Sequence, residues 1–165
     1  MATQLPVPIE FELPEGWTPA PPDEVNAPGS AFVALHPASI DGFTANITIA
    51  GQLYTDGTSL DAIADESLRR LDGTADVVTL RQRDIVGSKD APGRTQVVDI
   101  TTTIDNRRLQ LVQCQVYLEL RDESDPRRRA VIELALTCRD SQLDAVLGDY
   151  QKFVGTVRPQ AGSST

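Results

Sequence analysis

The side chains suited to acid–base, nucleophilic or zinc chemistry near neutral pH are few: one histidine, His36, and two cysteines, Cys114 and Cys138. His36 ends a strand-like run and is followed by Pro37. A hydrolase triad would need a nucleophile and an orienting acid around it, and no Gly-x-Ser-x-Gly elbow supplies one. Zinc would need clustered sulfur or imidazole ligands, yet the chain has no Cys-x-x-Cys, His-x-His or His-Glu-x-x-His. The acids of Asp122-Glu123-Ser124-Asp125 lack the spacing and glycine of a calcium loop. Gly87-Ser88-Lys89 carries the lysine of a phosphate loop without its glycine spacing, and no dinucleotide fingerprint occurs. Carboxylate-pair chemistry is what composition leaves open, since Asp and Glu together number 24. The expectation is therefore no catalytic residue, no metal and no cofactor, with a hydrolase hidden among the acids as the third reading.

Two features suit binding. Arg127, Arg128 and Arg129, with Arg121 ahead of them, make a basic tip on an acidic chain, and arginine pairs bidentately with carboxylates. Interspersed acids at 122, 123 and 125 favour a plain solvated hairpin tip over such a dock. Trp17, the single tryptophan, suits a partner anchor. It suits better still a plug at the sheet edge or the helix–sheet seam. The cysteines lie in apolar strand-like runs and read as two buried thiols, with a bridge or a reactive thiol as the alternatives. Whether they neighbour one another across the hairpin depends on a register that sequence leaves open.

Bulk charge narrows the partners. A net charge of −9 and a pI near 4.5 disfavour nucleic acid and anionic membrane, which need a clustered positive field. No basic stretch precedes an apolar run at the N-terminus, and no segment approaches the roughly 20 apolar residues of a membrane span. As written the chain reads as cytosolic; an exported origin stays open if a leader has been removed. Lysine occurs only at Lys89 and Lys152 against many arginines, a composition that hints at a GC-rich bacterium, an actinobacterium.

The elements that must position any site follow from periodicity. Residues 7–13 alternate as a half-buried strand, with Pro8 placing it at an edge or a strand start. Four prolines between Pro19 and Gly29 predict a loop without regular structure. Ser30–His36 and Phe43–Ala50 read as strands joined through Pro37–Gly42. From Thr58 the period changes: Leu60, Ile63, Ala64, Leu68 and Leu71 predict a helix, capped by Thr58 with Asp61 and ending near Gly73. Strands follow over Val77–Ile85, Thr95–Ile104, Arg108–Leu120 and Arg129–Cys138. Ser141, with Asp144, opens a last helix whose stripe runs from Leu143 to Val154, and Pro159 stops it. The order predicts an α+β fold with a largely antiparallel twisted sheet of about six or seven strands carrying two main helices. One domain spans 1–159, and 160–165 is a tail.

A short strand entering Leu13-Pro14-Glu15-Gly16-Trp17, an acidic proline loop, Phe32–Pro37, Phe43–Ile49, the Leu60–Leu71 helix and the closing Val157-Arg158-Pro159 resemble the LpqN family of actinobacterial proteins. The resemblance implies a fold similar to PsbP, to the Mog-type Ran-binding proteins and to DcrB-like proteins. It also implies a binding or assembly factor, including chaperones for secreted effectors, and no catalytic residue. Such proteins commonly carry a lipid-bearing cysteine near the start, whereas the first cysteine here is Cys114. The leading expectation is a non-catalytic adaptor or chaperone-like factor for another protein. The alternative is a carrier of an apolar small molecule or lipid. A hairpin over 108–138 at the sheet edge would allow symmetric pairing, so monomer and homodimer both stay open.

Overall fold

The computed structural model describes residues 8–22, 30–40, 43–87, 92–121 and 128–159. The elements are β1 (Ile9–Glu10), β2 (Thr18–Ala20), β3 (Phe32–Ile40), β4 (Phe43–Tyr54), α1 (Leu60–Asp72), β5 (Val77–Gly87), β6 (Pro92–Ile104), β7 (Arg107–Arg121), β8 (Arg129–Arg139), α2 (Leu143–Thr156) and β9 (Arg158–Pro159). Seven strands form one sheet in the order β2-β3-β4-β8-β7-β6-β5, antiparallel at every junction. β1 and β9 pair in a small second sheet. The fold is α+β.

Strand alternation divides the side chains between two faces. Ile47 lies opposite Leu136, Leu136 opposite Cys114, and Cys114 opposite Val97; this row packs with Val146, Tyr150 and Phe153 of α2. The other face carries Val98, Ile100, Leu109, Leu111, Tyr117 and Val131 under α1. One helix therefore covers part of each face. Cys114 lies diagonally across from Cys138, whose direct partner is Val112. Both thiols are buried and free. A diagonal offset of about 7–8 Å exceeds disulfide reach.

The β6–β7 hairpin turns through Asp105 and Asn106, at φ of 50° and 63°. Such paired left-handed residues match the strand twist in a two-residue loop, and Asx residues tolerate them. Gly93 is required by close approach, because a Cβ there would stand 3.0 Å from the Tyr117 carbonyl oxygen and from Val86.

Several expectations need correction. The cap of α1 is Ser59, whose hydroxyl accepts from the Ala62 amide at 3.1 Å; Thr58 instead donates its amide to Asp56 at 3.1 Å. Ahead of α2 runs a short 3₁₀ turn, Asp140–Gln142, where Gln142 rather than Ser141 does the capping. Its Oε1 accepts from the Arg139 amide at 2.7 Å, and its Nε2 donates to the Phe43 carbonyl at 3.2 Å, tying the helix start to β4. Thr18-Pro19-Ala20 forms an edge strand despite its proline, since an edge residue needs no amide on its outer side. The last helix ends at Thr156, ahead of Pro159 as expected, and Pro159 itself pairs with Ile9 in a strand the periodicity did not predict. The β7–β8 hairpin is central, not at the edge; β2 and β5 are the edges.

Candidate binding site

Along β8, Ile132, Leu134, Leu136 and Cys138 join the α2-side core, so Val131, Glu133 and Ala135 face α1. Glu133 is thus a carboxylate placed on an inner face, 23% exposed. Its cross-strand partner is Tyr117, wholly buried. The Tyr117 hydroxyl lies 3.3 Å from Glu133 Oε1 and 2.9 Å from Gln115 Oε1, and its one proton serves one of them at a time. From α1, the Ser67 hydroxyl donates to the same Glu133 Oε1 at 3.3 Å and accepts from Arg70 Nη2 at 3.2 Å. Arg70 Nη2 stands 3.9 Å from Glu133 Oε2, outside hydrogen-bond contact.

The network continues under the helix. Gln96 Nε2 donates to Gln115 Oε1 and to the Ala64 carbonyl, the latter at 3.2 Å. Arg83 donates from Nε and Nη2 to Gln96 Oε1 at 3.0 and 2.8 Å, and pairs with Asp65 at 2.8 Å. A hydrogen-bonded chain thereby crosses the sheet from Arg83 on β5 to Glu133 on β8 and climbs α1 to Arg70. Buried amides cost free energy unless bonded, and these are bonded. Burial raises the Glu133 carboxyl above its usual range, against the opposing pull of Arg70 and of the bonds from Tyr117 and Ser67. Burial, reinforced by the Glu133 carboxylate, also raises Tyr117, so its phenol stays protonated and able to donate.

Beside this network lies a cleft of about 310 Å³, with Ala50, Gln52, Val131 and Glu133 as floor and Ile63 and Arg70 as wall. On the opposite face, a more apolar chamber of about 430 Å³ lies between α2 and the sheet. Val97, Cys114, Val116, Leu147, Tyr150 and Val154 line it, and Arg81 stands at its rim. Arg81 is held there by Asp99 (Nε to Oδ2, 3.1 Å). Burial raises the Cys114 thiol, and pushes Cys138 up to about 12. Neither is the low-pKa thiolate that nucleophilic chemistry uses. Among the described residues, no group of three or more His, Cys, Asp or Glu side chains is placed to hold a metal ion.

A third surface is the edge strand β5. Val77, Leu80 and Ile85 are exposed, Ile85 at 78%. Leu80 also borders a groove with Val78 and with Leu68 of α1. A bulge between Leu80 and Gln82, at Arg81, interrupts the ladder.

The residues singled out from sequence fall in two places. Trp17 is 6% exposed in the α2-side core, where its indole donates to Asp149 Oδ2 at 3.0 Å and meets the His36 ring edge-on at 5.1 Å. Arg129 lies on the other face, ion-paired to buried Glu119 with its guanidinium 5.7 Å above the Tyr54 ring. Arg129 Nη2 has no hydrogen-bond partner among the described residues. Arg128 is exposed, Arg121 ends β7 opposite Arg129, and Arg127 lies outside the described residues. The Glu133–Tyr117–Ser67–Arg70 group went unnoticed in sequence. Its one available signal was a lone carboxylate inside the apolar run Ala130–Cys138.

No known family pattern matches the chain, and no curated protein matches it by sequence. Solved structures do match by shape. LpqN, involved in cell envelope biogenesis of Mycobacterium tuberculosis, is 9% identical with a TM-score of 0.61, over 92% of this chain and 83% of that one. Cyanobacterial PsbP (CyanoP) from Synechocystis is 12% identical at 0.59, over 92% and 86%. The Ran-binding protein Mog1p of Saccharomyces cerevisiae is 16% identical at 0.56, over 92% and 89%. At these identities the matches show the fold: PsbP/Mog-like.

Proposed function

We propose that this chain is a non-catalytic binding protein, an adaptor or chaperone-like factor for another protein, related to the LpqN group. The observation that carries the reading is the β5 edge: a long strand on which exposed Leu80 lines the groove against α1. Ile85 stands exposed further along that face, and Val77 is exposed on the other face. Exposed aliphatics along an edge strand, with a concave apolar surface beside Leu80, are what a protein partner covers. The bulge at Arg81 and the charges of Arg83 and Asp84 blunt simple ladder extension, so recognition falls to side chains in the groove. A Ran-binding protein among the structures of this shape agrees with a protein partner. The test is capture from native lysate with the wild type and with the pair Leu80→Glu/Ile85→Glu. A partner retained by the first and lost by the second supports the reading. An identical set on both, or none, counts against it.

The chamber under α2 favours a second reading, a carrier of an apolar small molecule. Native mass spectrometry of the purified protein would show a bound adduct that Leu147→Trp, which fills the chamber, removes. A ligand-free spectrum from the wild type sinks this reading.

A further inference from the structure

We propose that the cleft between α1 and strands β4 and β8 binds a small zwitterion of the α-amino acid class, with its ammonium donating to Glu133 Oε2 and its carboxylate pairing with Arg70. Both hydrogen bonds that the protein makes to Glu133, from Tyr117 and Ser67, go to Oε1. Among the described residues no donor lies within hydrogen-bond distance of Oε2, although the carboxylate is mostly buried. Oε2 is not sealed off from solvent but opens on the cleft, where a ligand's donor can take the place of water. Arg70 commits Nη2 to Ser67 and is otherwise 62% exposed on the cleft wall. At 3.9 Å the two charges form a loose ion pair with no hydrogen bond between them, so both still face the cleft. The complement is a ligand carrying a cation and an anion one carbon apart.

A neutral polyol would also donate to Oε2, but it would do nothing for the charge of a carboxylate whose burial already raises its proton affinity. An ammonium offsets that cost directly. The remaining lining sets the side chain. Ile63, Val131 and the half-buried Tyr54 ring are apolar while Gln52 and Glu66 are polar, so an aliphatic or aromatic side chain would lie along the Ile63, Val131 and Tyr54 part of the cleft. About 310 Å³ is at the small end for ligand clefts, enough for one amino acid and too small for a long chain.

The probes are leucine and phenylalanine, with N-acetyl-leucine lacking the ammonium and isoamylamine lacking the carboxylate. Isothermal titration and thermal shift are read near neutral pH. Expected is saturable binding of leucine or phenylalanine, weakened at least about tenfold in either analogue, and likewise in Glu133→Gln and Arg70→Ala. Arg70 is surface-exposed, so its variant stays informative should Glu133→Gln fail to fold. Absence of binding by both amino acids in the millimolar range overturns the proposal. So does equal binding by the analogues, unchanged affinity in the variants, or a response to glycerol and glucose alone.

Discussion

At the scale of single residues, Glu133 concentrates the unusual chemistry of the described chain. Its carboxyl proton is held more tightly in the folded protein than in the unfolded one, because burial outweighs Arg70 and the two hydroxyl donors. Between the unfolded and the raised folded pKa, the native state binds more protons than the unfolded state, so stability falls as pH rises through that window. Glu133→Gln abolishes this dependence. Denaturant unfolding of both proteins across the acid-to-neutral range is expected to show the variant gaining stability relative to the wild type as pH rises above the ordinary carboxylate range. A constant difference would mean that the native carboxyl titrates as it does in the unfolded chain. Trp17 teaches the opposite lesson. Its size and solitude suit either a partner anchor or a plug of the helix–sheet seam, and the fold uses its indole inside the seam, bonded to Asp149.

At the scale of elements, α1 matters because it carries Ser67, Arg70 and Ile63 to the cleft. Its register is fixed by the Ser59 cap and by Leu60, Ile63 and Ala64, which pack on Tyr117 and Val131. Ser59→Ala removes the acceptor for the Ala62 amide and is expected to cost about 1 kcal/mol in denaturant unfolding, while Thr58→Val leaves the helix cap itself in place. The helix was legible from its apolar spacing and its end at Gly73. The cap was not, because Thr58 and Ser59 are equally able acceptors and only the loop geometry, with Thr58 turned to Asp56, chooses between them. The central hairpin was legible too, as two long alternating runs; its place in the sheet was not.

For the whole molecule, the sheet is a partition with one helix on each side. α2 is held by Phe153, which is fully buried and meets Phe11 edge-on at 5.6 Å, and by the Tyr150 hydroxyl donating to the Leu134 carbonyl at 2.7 Å. The small β1–β9 sheet closes the same side, bringing the described ends of the chain together. Phe153→Ala is expected to cost about 3–5 kcal/mol by leaving a cavity in this layer. By contrast, Ile85→Lys on the open edge should shift unfolding by no more than about 0.5 kcal/mol. Thermal and denaturant unfolding compare the two directly; equal effects would contradict the layered core. The two substitutions differ because Phe153 is enclosed by other side chains and Ile85 is open to solvent.

Sequence by itself determined the local features of this protein: strand and helix periods, their order, the α+β class and the missing catalytic motifs. These follow from contacts a few residues apart, where side-chain direction repeats every two residues in a strand and every 3.6 in a helix. Tertiary structure alone decided which strands lie at the centre and which at the edge. It also decided that Trp17 is spent on packing, and that Ser67, Arg70, Tyr117 and Glu133 meet. Those four come from three elements far apart in the chain, joined only when α1 settles on the face where the β7–β8 register sets Tyr117 against Glu133. Their spacing along the chain carries no trace of that meeting, because cross-strand register and helix placement are settled by packing.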